Sequence, residues 1–125
     1  MGHGPGDYLG QERRADHALE TSRENRPFLP GIELPDDLAF SADPQAACAG
    51  ADLIVSVVPT QFLRPVARRF EEFLGDSVPI VSATKGLEIE TMKSPTSILL
   101  DVLGKRDIGV LTGPSHAAEV AQGKP

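Results

Sequence analysis

The sequence predicts an α/β domain built on a parallel sheet, and two observations carry this. From about residue 43 onward, short β-branched runs alternate with segments of helical period, in the order helix, strand, helix, strand, helix, strand, helix. Most of the helical segments open on a capping residue or proline and close on glycine. Strands separated in this way are expected to run parallel, joined by right-handed crossovers.

The elements follow in order. Residues 1–27 are polar and without a sustained apolar period, which reads as a disordered or weakly helical tail. Pro30 and Pro35 exclude a regular helix over 28–35 and favour an extended, turn-containing connection. Asp43-Pro44 starts a short helix through Ala46–Ala49, stopped at Gly50. Leu53–Val58 is a buried strand ended by Pro59. Thr60–Leu74 is helical by period, with Phe62, Val66, Phe70, Phe73 and Leu74 on one face and Gly75 as its stop. Pro65 lies too deep for an undisturbed first turn capped by Thr60, so the regular helix is expected from Leu63 or Arg64. Val78–Ala83 is the second strand. Ser94-Pro95 opens a helix with Ile98, Leu99, Val102 and Leu103 as its stripe and Gly104 at its end. Ile108–Leu111 is the third strand, and Ser115 is placed to cap a last helix through Ala117–Ala121.

Composition narrows the function classes. The chain has 125 residues, 40% of them hydrophobic and 24% charged, which suits one globular domain or part of a larger one. A formal charge of −6 leaves no basic footprint for nucleic acid or an anionic membrane. It does not exclude a small anion, which one lysine and a few backbone N–H groups can hold. Cys48 is the single cysteine, so there is no disulfide framework and no cysteine-based metal site. It sits among alanines and reads as a small buried side chain. His3, His17 and His116 lack ligand spacing. No apolar stretch reaches the roughly 18 residues a membrane span needs, and the start lacks the features of a secretory signal. These features point to a reduced, cytoplasmic setting.

Two segments carry candidate chemistry because each ends a predicted strand, where open parallel sheets bind their ligands. In Thr84-Lys85-Gly86, the glycine allows a sharp turn and the ammonium can hold a phosphate or stabilise charge on a carbonyl oxygen. The alternative is a surface lysine on a strand-to-helix loop. In Gly113-Pro114-Ser115, glycine permits close approach to a ligand, proline fixes the turn, and serine offers a hydroxyl and a helix cap. The alternative is an ordinary strand-to-helix turn. Phe62 could lie against a planar ring, although at its position on the apolar stripe the simpler reading is core.

Taken together, Asn25–Pro44 (NRPFLPGIELPDDLAFSADP), Ala51–Val66 (ADLIVSVVPTQFLRPV), Val81–Thr91 (VSATKGLEIET) and Val110–Pro125 (VLTGPSHAAEVAQGKP) closely resemble NAD(P)-dependent glycerol-3-phosphate dehydrogenase, in family order. The resemblance implies a partial Rossmann-like, doubly wound sheet, and a reaction between dihydroxyacetone phosphate and sn-glycerol 3-phosphate with NAD or NADP, serving glycerophospholipid synthesis. It implies that Lys85 contacts both cofactor and substrate and polarises the carbonyl. Gly113 and Ser115 would contact substrate, Ala117 the cofactor, and Phe62 would lie by the nicotinamide. Position 116, commonly Phe in the family, is His here. The resemblance also leaves open homo-oligomers among full-length members.

Against the family pattern, residues 1–24 are unassigned, and residues 25–125 match the later part of the cofactor domain. The glycine-rich turn and first strand are not recognisable: Gly2-His3-Gly4-Pro5-Gly6 follows no strand. The family's helical substrate domain, with a further lysine and phosphate-binding groups, has no counterpart here. The 125-residue chain alone is therefore expected neither to turn over substrate nor to bind cofactor tightly. Its strand at Leu53–Val58 is expected to leave an exposed edge that favours aggregation or partial order. Two other readings stand beside this one: a different two-domain nicotinamide-dependent dehydrogenase, and a non-catalytic remnant that pairs with another chain. The lysine-glycine-leucine-glutamate string argues against the former.

Overall fold

In a computed structural model, residues 17–113 and 116–124 are described. They fall into two compact units, one of residues 17–43 with 116–124 and the other Pro44–Gly113.

The second unit is the α/β core. It runs α2 (Pro44–Cys48), β1 (Ile54–Ser56), α3 (Thr60–Phe70), β2 (Ile80–Ser82), α4 (Pro95–Leu103) and β3 (Ile108–Val110). The strands form a parallel sheet in the order β1-β2-β3, as the alternation predicts. Register places Ile54, Ile80 and Ile108 side by side on one face, and Val55, Val81 and Gly109 on the other. The first row packs on the helices: Ile80 joins Leu63 and Ala67 of α3 and Ile98, Leu99 and Leu103 of α4 in the buried core, with Ile54 and Ile108 against it. Cys48 is buried in the same cluster, and burial raises its thiol pKa. The opposite face is bare at β1, where Leu53, Val55 and Val57 stay exposed. An open apolar groove of about 340 Å³ runs under this edge, between β1, α2 and α3, and does not include Lys85.

Local chemistry explains the helix bounds. Ser94 caps α4, its side chain accepting from the Ser97 amide at 3.3 Å, with Pro95 at the first turn where no N–H is missed. Gly104 closes the helix at φ 73°, a left-handed conformation that glycine adopts without strain. The α3 expectation needs correction. The helix begins at Thr60, capped by Pro59, and continues through Pro65. Pro65 costs one hydrogen bond to the Gln61 carbonyl, but the burial of Leu63 and Ala67 holds the turn on both sides of it. The expected stripe holds only in part: Phe70 packs against the core, but Leu63 and Ala67, not Phe62 and Val66, are the buried apolar positions of the helix. Leu63, Ala67 and Leu74 are buried, whereas Phe62 is 63% exposed and Phe73 lies at the rim.

The first unit is held by polar contacts. Residues 17–22 are helical (α1), and Glu24 and Glu33 form an antiparallel bridge. The Glu24 carboxylate accepts from the Gly31 amide and from Arg26 Nε, each at 2.8 Å, which closes the proline-bounded connection into a turn. Those bonds, the Gly31 one foremost, lower the Glu24 pKa. Arg23 lies over the Phe40 ring, 5.2 Å from its centroid, and donates to the Leu38 carbonyl. The last helix, α5 (Ala117–Ala121), has His116 at its N-cap without a side-chain bond; the cap expected of Ser115 lies outside the described residues.

Candidate functional site

Parallel strands end on one edge of their sheet, and here the three carboxyl ends are stitched together beyond the regular ladder. The Ala83 amide donates to the Ser56 carbonyl and the Leu111 amide to the Ser82 carbonyl, each at 2.9 Å. The Thr84 hydroxyl donates to the Val58 carbonyl at 2.8 Å. Lys85 and Gly86 come next, and Gly86 turns the chain at φ +95°. A side chain there would be strained, so the glycine is needed for the turn itself. Lys85 Nζ reaches across to the end of β3 and donates to the Gly113 carbonyl at 3.3 Å. Lys85 and Gly113 thus meet at the carboxyl edge of the sheet, while Pro114 and Ser115 lie outside the described residues.

The start of α3 holds the lysine loop from below. The Thr60 hydroxyl, on a residue only 6% exposed, donates to the Lys85 carbonyl at 2.6 Å. The Gln61 side-chain amide pairs with the loop backbone at two points, donating to the Leu87 carbonyl at 2.8 Å and accepting from the Ile89 amide at 3.1 Å. One turn further on, Arg64 makes a bidentate pair with Glu88, Nε to Oε1 at 3.0 Å and Nη2 to Oε2 at 2.8 Å. Thr91 donates to the same carboxylate. Arg64 and Lys93 converge on Asp101 of α4, at 3.3 and 2.5 Å.

These contacts set the charges. The Arg64 hydrogen bond, then Thr91, lowers the Glu88 pKa to about 2. Lys93, then Arg64, lowers that of Asp101. The Arg64 pKa is raised, chiefly by Glu88. Every carboxylate of the cluster is therefore engaged with Arg64, Lys93 or Thr91. Among the described residues none pairs with Lys85, whose ammonium stays exposed with a neutral carbonyl as its partner.

The remaining predicted residues separate. Phe62 lies on the first turn of α3, two positions after Thr60, and is exposed rather than part of the core as the simpler reading had it. Its angular position on the helix, beside the buried face rather than on it, explains why. Ala117 is the exposed first residue of α5, in the other unit. Thr60, Gln61, Arg64 and Glu88 were not singled out as parts of the site. The available signal was a threonine immediately after the strand-ending Pro59, with polar side chains one and four positions on, a spacing that keeps them near one face of the first turns.

Comparison with known proteins bears on the family and the fold. A family model for the N-terminus of NAD-dependent glycerol-3-phosphate dehydrogenase matches residues 8–125, beginning upstream of Asn25. The chain is 43% identical over 111 residues to a glycerol-3-phosphate dehydrogenase [NAD(P)+] of Syntrophomonas wolfei, covering 86% of this chain and 32% of that protein. It is 41% identical over 110 residues to the glycosomal NAD(+) enzyme of Trypanosoma brucei brucei, covering 84% and 31%. Among solved structures, glycerol-3-phosphate dehydrogenase from Coxiella burnetii superposes with a TM-score of 0.81 at 27% identity, over 89% of this chain and 34% of that one. The Saccharomyces cerevisiae enzyme gives 0.75 at 31% identity, over 86% and 31%. The chain spans about a third of the length of the curated relatives it matches.

Proposed function

Since the chain belongs to the family of NAD-dependent glycerol-3-phosphate dehydrogenase N-terminal regions, we propose that it forms one wall of an active site that interconverts dihydroxyacetone phosphate and sn-glycerol 3-phosphate with NAD or NADP. The observation that carries this is the exposed Lys85 ammonium at the carboxyl edge of the sheet, next to the Gly113 carbonyl and free of any described carboxylate. A cation in that state can face an anionic or developing negative oxygen without first breaking an ion pair.

The residues fit a nicotinamide and a phosphorylated ketone in their chemistry. Phe62 presents an exposed ring on the first turn of α3, suited to stacking on a planar group. In this reading Phe62 and Lys85 hold the cofactor, and Lys85 and Gly113 hold the substrate. When bound, the nicotinamide supplies or accepts the hydride. Lys85 orients the substrate and stabilises the charge that builds on its carbonyl oxygen, a role typically worth a hundred- to a thousand-fold in turnover. Residues 25–125 act as the later part of the cofactor domain. The charge of −6 supports a small-molecule partner over nucleic acid or an anionic membrane.

The test is a hybrid enzyme in which residues 44–113 replace the matching segment of the full-length Syntrophomonas wolfei relative. Oxidation of NADH or NADPH is followed with dihydroxyacetone phosphate, and with 6-phosphogluconate and a hydroxyacyl thioester in the reverse direction. Turnover confined to the triose phosphate pair is expected. An inactive but folded hybrid, or preference for another substrate, would overturn the proposal.

A further inference from the structure

We infer that Thr60 is a positioning residue for Lys85: its buried hydroxyl fixes the Lys85 backbone so that the ammonium is delivered to the end of β3. The inference rests on the role proposed for Lys85 above.

The β2–α4 loop leaves the sheet at Ala83 and is fixed on the side of α3 by a series of bonds. Gln61 holds the Leu87 carbonyl and the Ile89 amide, and Arg64 holds Glu88. These bonds anchor the far half of the loop. Nearer the reactive end, Thr84 is tied to the Val58 carbonyl at 2.8 Å. At Lys85 itself the backbone has one described side-chain contact, the 2.6 Å bond from Thr60. The next residue, Gly86, is the most mobile kind of hinge a chain can have, at φ +95°. Without the Thr60 bond, the lysine backbone would sit between one anchor at Thr84 and a glycine.

A long flexible side chain such as lysine aims well only if its own backbone is held. Thr60 is suited to that task. It is 6% exposed, so its bond is little weakened by water, and it lies on the first turn of a helix whose Leu63 and Ala67 are buried in the core. A valine at this position would keep the shape and burial while removing the donor, leaving the Lys85 carbonyl without that partner. A serine would keep the donor and lose only a methyl group.

The experiment uses the hybrid enzyme with Thr60→Val, Thr60→Ser and Lys85→Ala, with kcat counted per folded site by titrating cofactor-competent protein. Thr60→Val is expected to lower kcat at least ten-fold while KM rises by less than three-fold, because the ammonium is still present but poorly aimed. Thr60→Ser is expected to restore at least half of the turnover. Lys85→Ala is expected to lose a hundred-fold or more. Unchanged kcat per folded site in Thr60→Val would overturn the positioning role while leaving that of Lys85 intact. So would a Thr60→Ser variant as impaired as Thr60→Val, since the retained hydroxyl would then not suffice to hold the lysine. Wild-type turnover in Lys85→Ala would remove the proposed function of the lysine, and the positioning role with it.

Discussion

Gly86, in the loop after β2, and Gly109, in β3, are two glycines for which the structure predicts opposite responses to alanine. At Gly86 the backbone lies at φ +95°, where an L side chain is strained whatever space surrounds it. The space itself is adequate: an added Cβ would meet Thr60 Oγ1 at 3.7 Å, an ordinary contact. The cost of Gly86→Ala is therefore conformational and not a clash, about 1–2 kcal/mol. Gly109 has no such constraint, and its added Cβ would lie 3.7 Å from Val81 Cγ2, also an ordinary contact. Gly109→Ala should thus stabilise the fold by about 0.4–1 kcal/mol, through the lower entropy of the unfolded chain. Hydrogen–deuterium exchange in the hybrid reads both locally. Amides of residues 80–90 should open about 5–30 times more often in Gly86→Ala, and those of residues 78–83 and 106–112 less often in Gly109→Ala. Equal protection in the two variants, or a gain at Gly86, would refute the turn geometry on which the placement of Lys85 depends.

Two further perturbations probe the support beneath the site. Ile98 is fully buried against α3 and the sheet, so Ile98→Ala should destabilise by about 2–5 kcal/mol and Ile98→Val by about 0.5–1.5 kcal/mol in urea unfolding of the hybrid; a cost below 1 kcal/mol for alanine would mean that α4 does not pack as described. Glu88 is held near a pKa of 2 against an ordinary 4.5, a depressed value, so its contribution to stability is complete above pH 4.5 and is lost as pH falls towards 2. The urea midpoint should drop across that window and be flat with respect to Glu88 from pH 6 to 9, and Glu88→Gln should flatten part of the acid fall; an unaltered acid profile in that variant would show that the Arg64 pair is not formed.

The sheet was legible because its signals are local. β-branched runs, caps and terminal glycines each speak for a few residues, and all three parallel strands lie where those runs predict, the first two trimmed at both ends and the third by Leu111 alone. Pro65 misled because a propensity argument sees the lost hydrogen bond and not the burial of Leu63 and Ala67 that outweighs it. Phe62 misled for a related reason: a stripe begun at that aromatic starts one position before the buried face, which in the first turns is marked by Leu63 and Ala67, and meets it only at Phe70 and Leu74. Lys85 and Gly113 could be picked out as strand-end groups, and the structure brings them to 3.3 Å. Their support could not be read in the same way. The bonds from Thr60 to Lys85 and from Arg64 to Glu88 join residues more than twenty positions apart. No periodicity within one element reports such pairings, which follow only once α3 and the β2–α4 loop are packed on the same sheet.

The central claim is that the Lys85 ammonium faces the reacting oxygen, and amine rescue tests it most directly. In the hybrid, Lys85→Ala should lower kcat/KM for dihydroxyacetone phosphate by a hundred- to a thousand-fold, and added methylammonium should recover part of that loss in a saturable way, by restoring a cation in the vacated space. A Lys85→Ala hybrid that keeps its turnover, or one whose loss no small ammonium ion relieves while the protein remains folded, would contradict the account.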